Sequence, residues 1–337
     1  MITRRWIPFL ALASAAIGSP AARADIDSST LAVLVNDADP ISREVGDYYA
    51  AARRIPERHL IHVRVANDVA MSRASFAEFS SSLTAQLANE HVEALAITWR
   101  RPYRVDCMSI TSALALGFDE RYCATGCYPT KPSPLYDART SSPLAVFGVR
   151  PTMMIAAATL RQTKELIDRG VRADANAGAS VDALLVTTTD VWRNVRSAEF
   201  AAIAASPPPR VHPVRTTEFP TSATNVMFYF TGAVRVPHID SIRFAPGAIA
   251  DHLTSAGAIF EQDEQMTVLD WLDAGATASY GTVVEPCSFK EKFPDPNVAI
   301  RRYADGAPLI EAYWESVRMP GQGLFIGEPL ARPFAKN

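Results

Sequence analysis

Short apolar runs alternate with amphipathic stretches through the N-terminal third of the chain. Leu31–Val35 is apolar and ends at Asn36 and Asp37, as a buried strand does where its loop begins. Asp39-Pro40 then predicts a helix to about Arg54, because a carboxylate caps a helix and proline fits its first position. The pattern continues with a strand, a helix and a strand over 60–65, 75–89 and 92–98. Such alternation predicts an α/β fold, in which a mostly parallel sheet carries helices on both faces.

One long interruption precedes the rest of the pattern. Residues 101–150 hold three of the four cysteines and several prolines, which predicts a loop excursion with little regular structure. Beyond it the pattern predicts strands at 153–158, 183–188, 225–230 and 277–284, and helices at 160–169, 265–274 and 307–317. No repeat or long linker divides the chain, so residues 25–337 are predicted to form a single α/β domain.

The segment from Phe244 to Leu330 is the most suggestive part of the sequence. Three apolar stretches there each end in a turn rich in Gly, Pro or polar residues. Parallel strands place their functional loops along one edge of a sheet, so these turns are expected to share a common rim.

The first 24 residues have the features of a secretory signal peptide. Two arginines precede the apolar stretch Trp6–Ala16, and Ala22-Arg23-Ala24 supplies small residues for cleavage. The stretch is too short to stay as a membrane anchor, which indicates a periplasmic or secreted protein. The adjacent Arg4 and Arg5 leave both the general and the twin-arginine export routes open.

Charge and hydropathy narrow the range of partners. Removal of the leader takes away three arginines and no acid, which moves the formal charge from −3 to −6. Without a basic cluster, neither nucleic acid nor anionic lipid is expected as a partner. No later apolar run approaches the roughly 20 residues that cross a bilayer, so no stable membrane insertion is expected after cleavage.

Four cysteines in an exported chain are disulfide candidates, and three pairings are possible. The first expectation is Cys123–Cys127, which would close a tight loop. A zinc site would need a second close Cys pair or a nearby His pair, and the sequence has neither. Dinucleotide and phosphate-loop motifs are missing as well, so no metal or cofactor is predicted.

Asn36 and Asp37 are candidate binding residues, because they follow a strand at the position where α/β proteins bind ligands. They could contact a metal or a ligand. The alternative is that their side chains satisfy the backbone of the loop.

His252 is the leading catalytic candidate, flanked by Asp251, Thr254 and Ser255. An imidazole beside a carboxylate and two hydroxyls suggests acid–base chemistry. The alternative is that Asp251 and His252 begin a helix, with the two hydroxyls hydrogen-bonding locally.

Cys287 follows a predicted strand and could act as a thiolate with His252 as its base. Glu285 is an alternative acid or base. Three non-catalytic interpretations compete for Cys287, namely a disulfide to Cys107, a buried thiol or an inert surface residue. The hydrolase hypothesis requires His252 and Cys287 to face one pocket, and we predict that they do not.

Four motifs resemble a family of uncharacterised exported bacterial proteins, found mainly in genomes that encode exosortase-type sorting. They are Val33–Pro56, Gly247–Ser255, Ala274–Pro286 and Pro320–Leu330, and the resemblance covers about residues 31–334. It implies a cell-envelope context, with an envelope protein or polymer as the partner. The chain lacks the C-terminal Pro-Glu-Pro motif, membrane helix and basic tail of sorted substrates, which suggests an accessory role.

More distantly, the final third is similar to gingipain-type cysteine peptidases, which have a caspase-like fold. Gly327-Glu328-Pro329 is similar to the Gly-Asp-Pro that closes their catalytic domain, and Asn225–Gly232 to the strand that ends there in His-Gly. This alignment puts Thr231 in the place of the catalytic histidine, and the loop Gly247–Ser255 has no cysteine for the nucleophile. The resemblance implies a caspase-like fold and counts against ordinary cysteine-peptidase activity, because neither catalytic residue carries over. We therefore expect a binding or accessory protein, with Thr231, Thr254 and Ser255 as candidate ligand contacts. A hydrolase with a rearranged His252/Cys287 site is the alternative.

Overall fold

A computed structural model describes residues 26–124, 126–176 and 179–335. The expected signal peptide, residues 1–24, lies outside this range. The chain forms a three-layer α/β structure around a ten-stranded sheet, which confirms the predicted fold class.

The sheet has the spatial order β2 (Leu60–Val63), β1 (Leu31–Asn36), β4 (Ala94–Ile97), β7 (Thr152–Met154), β13 (Gly323–Gly327), β12 (Ala278–Thr282), β11 (Ile242–Leu253), β10 (Ala223–Gly232), β8 (Val181–Val186) and β9 (Val211–Thr216). A small second sheet contains β3 (Ala70–Met71), β5 (Arg104–Val105) and β6 (Met108–Ser109). The helices are α1 (Pro40–Arg53), α2 (Arg73–Gln86), α3 (Ile110–Leu116), α4 (Pro143–Phe147), α5 (Leu160–Ala173), α6 (Ser197–Ala205), α7 (Val268–Asp273), α8 (Pro296–Ala304) and α9 (Leu309–Trp314).

The large sheet consists of two parallel halves that run in opposite directions. Every neighbouring pair is parallel except β12 and β13, which pair antiparallel. The five strands from β2 to β13 therefore end at one edge, and the five from β12 to β9 end at the other. The sequence pattern identifies strands but not their directions, and the expectation of one common rim is wrong. Asp37 and Glu328 lie at one edge, whereas Thr254 and Glu285 lie at the opposite edge.

Helices cover both faces of the sheet because adjacent strand residues point to opposite sides. Val33 packs in the same apolar cluster as Tyr49 of α1 and Ile167 of α5. Leu34, its neighbour in the chain, belongs to the cluster that contains Phe76 of α2. Burial of each such side chain contributes about 1.5–3 kcal/mol to stability.

The start of α1 confirms the capping prediction. The Asp39 carboxylate accepts a hydrogen bond from the Ile41 amide at 2.9 Å, and Pro40 occupies the first position of the helix. Carboxylate and proline both favour this end of a helix, since the first amides lack partners within it.

Residues 101–150 lie between β4 and β7 as the predicted excursion, but they hold more regular structure than expected. They contain β5, β6, α3, a short 3-10 helix (Glu120–Tyr122) and α4. The disulfides are Cys107–Cys123 and Cys127–Cys287, so the expected Cys123–Cys127 pair is wrong. Disulfide formation depends on Cα separation, which is 5.7 Å and 5.4 Å in the two observed pairs, and closeness in sequence does not determine it.

The segment Gly247–Ser255 was expected to be a loop or the start of a helix, and this expectation is also wrong. Residues as far as Leu253 belong to β11, and residues 247–253 are all buried. A central strand is covered on both faces, which suits this run of mostly small and apolar residues.

Candidate functional site

His252 lies within β11 and is fully enclosed, with 2% of its surface exposed. The Trp271 indole donates to His252 Nδ1 at 2.8 Å, and His252 Nε2 lies 3.0 Å from the Met266 carbonyl oxygen. An indole nitrogen can only donate, so Nδ1 accepts and Nε2 carries the proton. Burial lowers the pKa of His252 to about 3. The ring is therefore neutral and both of its nitrogens are occupied, which leaves it no capacity to act as a base for an external substrate.

Asp251 points to the opposite face of β11 from His252, as adjacent strand residues do. It is buried, and its Oδ1 lies 2.7 Å from a terminal nitrogen of Arg196. The Tyr313 hydroxyl donates to Oδ2 at 3.3 Å. Burial raises the pKa of Asp251, and the Arg196 guanidinium opposes that shift. Arg196 also donates to the Thr231 carbonyl at 2.7 Å, so the pair ties together the ends of two strands.

Cys287 is bridged to Cys127 and carries no thiol. A disulfide sulfur cannot serve as the thiolate nucleophile, so the catalytic prediction for Cys287 is wrong. The Glu285 carboxylate accepts a hydrogen bond from the Cys287 amide at 2.7 Å, which is a local turn contact.

Thr231 and Thr254 lie at the adjacent ends of β10 and β11, at the same edge of the sheet. The Thr231 hydroxyl donates to the Val186 carbonyl at 2.9 Å. The Thr254 hydroxyl donates to Gln265 at 2.6 Å, and the Ser255 carbonyl accepts from Thr282 at 2.9 Å. The structure thus brings these three candidates together, and the hydroxyls of Thr231 and Thr254 are hydrogen-bonded within the protein.

The segment Asp190–Asn194 lies over these strand ends and was not anticipated from the sequence. A Cβ added to Gly232 would lie 1.8 Å from the Arg193 carbonyl oxygen, which shows how closely the segment rests on β10. Arg193 Nε donates to the Thr254 hydroxyl at 3.3 Å, which connects the segment to β11. We call Asp190–Asn194 the capping loop. Its only signal in the sequence is a polar run interrupted by Val191 and Trp192.

Asn36 lies at the opposite edge of the sheet, where its side chain binds the backbone of Val65 in the way that a further strand residue would. Its side-chain amide donates to the Val65 carbonyl at 2.9 Å, and its Oδ1 accepts from the Val65 amide at 3.1 Å. The side chain is fully buried. It thus continues the β1–β2 pairing beyond the last backbone pair.

Asp37 lies beside Asn36 but is partly exposed. Its Oδ1 is 2.7 Å from His62 Nδ1 on β2, and this hydrogen bond lowers the pKa of Asp37. Asp37 and His62 both line a cavity of about 720 Å³.

That cavity is a groove between two walls. Residues 62–66, at and beyond the end of β2, form one wall, and one face of α2 forms the other. The side chains of Arg64, Asp68 and Glu78 line the groove. The Arg64 charge helps to lower the pKa of Asp37, whereas Asp68 and Glu78 form no ion pair or hydrogen bond with other described residues. We call this cavity the edge groove. Its volume lies in the range of ligand-binding clefts.

Within residues 26–124, 126–176 and 179–335, no group of three or more His, Cys, Asp or Glu side chains is placed to hold a metal ion. None of the helices in that part of the chain is long and apolar enough to cross a membrane.

No protein family and no curated protein matches the chain. Among solved structures it is similar to a chain described as "Structure of Protease", with 11% sequence identity and a TM-score of 0.48. The match covers 91% of this chain and 78% of that chain.

Proposed function

We propose that the mature chain is an exported binding or accessory protein of the cell envelope, built on a caspase-like scaffold without a hydrolytic dyad. The main support for this proposal is the state of the two predicted catalytic residues, Cys287 and His252. Cys287 is held in a disulfide, and both ring nitrogens of His252 are bonded in the interior. A nucleophile and a base that can reach a substrate are both required for the hydrolase alternative.

Export is supported by two independent features. The first 24 residues have the charged, apolar and small-residue zones of a signal peptide. All four cysteines are paired, and disulfides persist in oxidising compartments outside the cytoplasm. The motifs shared with exported proteins of exosortase-carrying genomes, such as Val33–Pro56, support an envelope context. The caspase-like assignment is supported by the resemblance at Asn225–Gly232.

The edge groove is the best-supported binding site. It is open to solvent and combines apolar side chains with charged ones, of which Asp68 and Glu78 form no ion pair or hydrogen bond within the described chain. Binding sites commonly combine an apolar surface with a few polar groups that orient the ligand. The capping loop, by contrast, covers the strand ends where Thr231 and Thr254 lie.

The test is a thiol count combined with a hydrolysis assay on the exported protein. We expect no titratable thiol under denaturing conditions and no cleavage of fluorogenic peptide libraries. A Cys287→Ser/Cys127→Ser variant controls for the disulfide, since it should behave like wild type in the hydrolysis assay. Cleavage by the wild type that disappears in His252→Asn would overturn the proposal. Recovery of the protein in the cytoplasm would overturn the export component.

A further inference from the structure

The edge groove runs along an outermost strand. β2 is the first strand in the order of the sheet, so among the described strands only β1 pairs with it. Val63 and Val65 turn their backbone groups inward. The Val63 carbonyl accepts from the Asp37 amide at 2.8 Å, and both backbone groups of Val65 bind the Asn36 side chain.

The residues between them turn their backbone groups outward. N–H and C=O groups of successive strand residues alternate between the two neighbouring positions in a sheet. Because Val63 and Val65 face β1, His62 and Arg64 direct their N–H and C=O groups to the open side. The Arg64 backbone has no hydrogen-bond partner among the described residues. This edge therefore offers a template for another strand.

Helix α2 forms the opposite wall of the groove and so sets its width. Ser75, Phe79, Ser82 and Gln86 line the groove at intervals of three and four residues, so they share one face of the helix. Two of the four are serines, which leave space between helix and strand. Phe79 is half-buried and offers an apolar contact within that space.

The charge of the groove is biased toward acid. Asp68 and Glu78 have no ionic partner in the described chain, whereas Asp37 is held by His62. Arg64 is the lining residue with an obligatory positive charge. Basic side chains on a bound segment would complement the two unpaired carboxylates.

We propose that the edge groove binds an extended peptide segment with basic side chains, which adds to β2 as an eleventh strand of the sheet. The inference rests on the proposed binding function and specifies its ligand class. The peptide backbone pairs with the outward groups of His62 and Arg64. Alternate side chains enter the groove, where apolar ones contact Phe79 and basic ones reach Glu78. Strand addition of this kind takes affinity from main-chain bonds and specificity from side-chain pockets.

The central test separates the Arg64 backbone from its side chain. Arg64→Pro removes the outward N–H and leaves the inward bonds of Val63 and Val65 intact, whereas Arg64→Ala removes only the side chain. The probe is a fluorescent ten-residue peptide of alternating Lys and Val with blocked ends, titrated by anisotropy. We expect Arg64→Pro to weaken binding about fivefold to tenfold, as loss of one main-chain hydrogen bond does. Arg64→Ala should stay within about threefold of wild type.

A second pair of variants tests the groove without touching the strand. Ser82→Trp fills the groove, and Ser81→Trp adds the same side chain outside its lining. Weaker binding in Ser82→Trp alone supports the proposal, even if Arg64→Pro fails to fold. The same peptide with Glu in place of Lys should bind at least about tenfold more weakly.

Three outcomes would overturn the peptide inference. They are equal binding by Arg64→Pro and Arg64→Ala, equal binding by the Trp variants, or binding of isolated envelope polysaccharide but of neither peptide. In each case the proposed binding function remains. Mass spectrometry of the peptide after incubation tests that function separately, because cleavage would contradict it whichever variant bound.

Discussion

The indole N–H of Trp271 donates to Nδ1 of His252 at 2.8 Å, in an interior where both residues are buried. This bond fixes the ring as the neutral tautomer that donates from Nε2 to Met266. A histidine that looked catalytic beside Asp251 thus connects β11 to α7 and to the segment that precedes it. The residue next to it in the chain, Asp251, takes part in a separate network on the other face of the sheet.

The buried ring predicts a pH-dependent stability. The pKa of His252 is about 3 when folded, below its ordinary value of 6.5, so the unfolded chain binds more protons between these pH values. The buried neutral ring therefore contributes its full stabilisation of the fold above pH 6.5, and this stabilisation is lost as pH falls toward 3. We expect a slope of up to about 1.4 kcal/mol for each pH unit in this range. Urea unfolding of wild type and His252→Asn between pH 7.5 and 4.5 measures it. Other histidines cancel in the difference, and identical slopes would contradict the prediction.

Glu328 predicts a large cost for removing one buried charge. Its carboxylate is fully buried and accepts from the Tyr49 hydroxyl at 2.7 Å and from Arg53 Nε at 3.0 Å. Glu328→Gln leaves the Arg53 guanidinium with Asp174 as its one ionic partner among the described residues. Breaking a buried pair costs about 3–5 kcal/mol, and Asp174 should keep the loss near 3 kcal/mol.

The matched control is the exposed pair of Arg161 and Glu165 on α5. Glu165→Gln should change the free energy of unfolding by no more than about 0.5 kcal/mol. Urea titration of both variants gives the comparison. Equal, small losses would show that Glu328 is not an essential anchor between β13 and α1.

Local chemistry was predictable from the sequence, but long-range partners were not. Asp39 and Pro40 act within one helical turn, so the start of α1 follows from two adjacent residues. The amide of Asn36 looked available for a ligand because its partner, Val65, lies 29 residues away. The direction of each strand could not be predicted either, since nothing in the apolar run of β13 distinguishes parallel from antiparallel pairing.

Asp37, a candidate binding residue, lines the edge groove, but the rest of the groove was missed for a related reason. His62 and Arg64 matched the polar positions of an ordinary alternating strand, and the serines of α2 matched a solvated helix face. Each pattern is typical of exposed surface. Only the placement of α2 beside an unpaired edge turns two such surfaces into a binding groove.

The two disulfides are predicted to contribute unequally to stability. Cys127–Cys287 joins residues 160 apart in sequence, whereas Cys107–Cys123 joins residues 16 apart. In the chain-entropy treatment the longer loop contributes about 5 kcal/mol and the shorter about 3 kcal/mol. Thermal unfolding of Cys127→Ser/Cys287→Ser and of Cys107→Ser/Cys123→Ser tests the order. A larger loss of Tm in the second variant would show that native contacts, and not loop length, set the ranking.

Gly232→Ala tests whether the capping loop rests on the end of β10. The new Cβ would lie 1.8 Å from the Arg193 carbonyl oxygen, a backbone atom that can retreat only if the loop moves. Overpacking of this kind costs about 1–3 kcal/mol. Displacement of the loop should also lengthen the contact between Arg193 and Thr254. Trp192 on the loop is 71% exposed, so acrylamide quenching of its fluorescence reports the movement.

Gly257→Ala is the matched control, because its Cβ would lie 3.3 Å from the Gly281 Cα and needs only a small adjustment. We expect it to retain the quenching behaviour of wild type and to lose less stability than Gly232→Ala. If Gly232→Ala leaves both stability and quenching unchanged, the capping loop does not cover the strand ends in solution. Thr231 and Thr254 would then be accessible to ligands. The edge groove would no longer be favoured over these strand ends as the binding site.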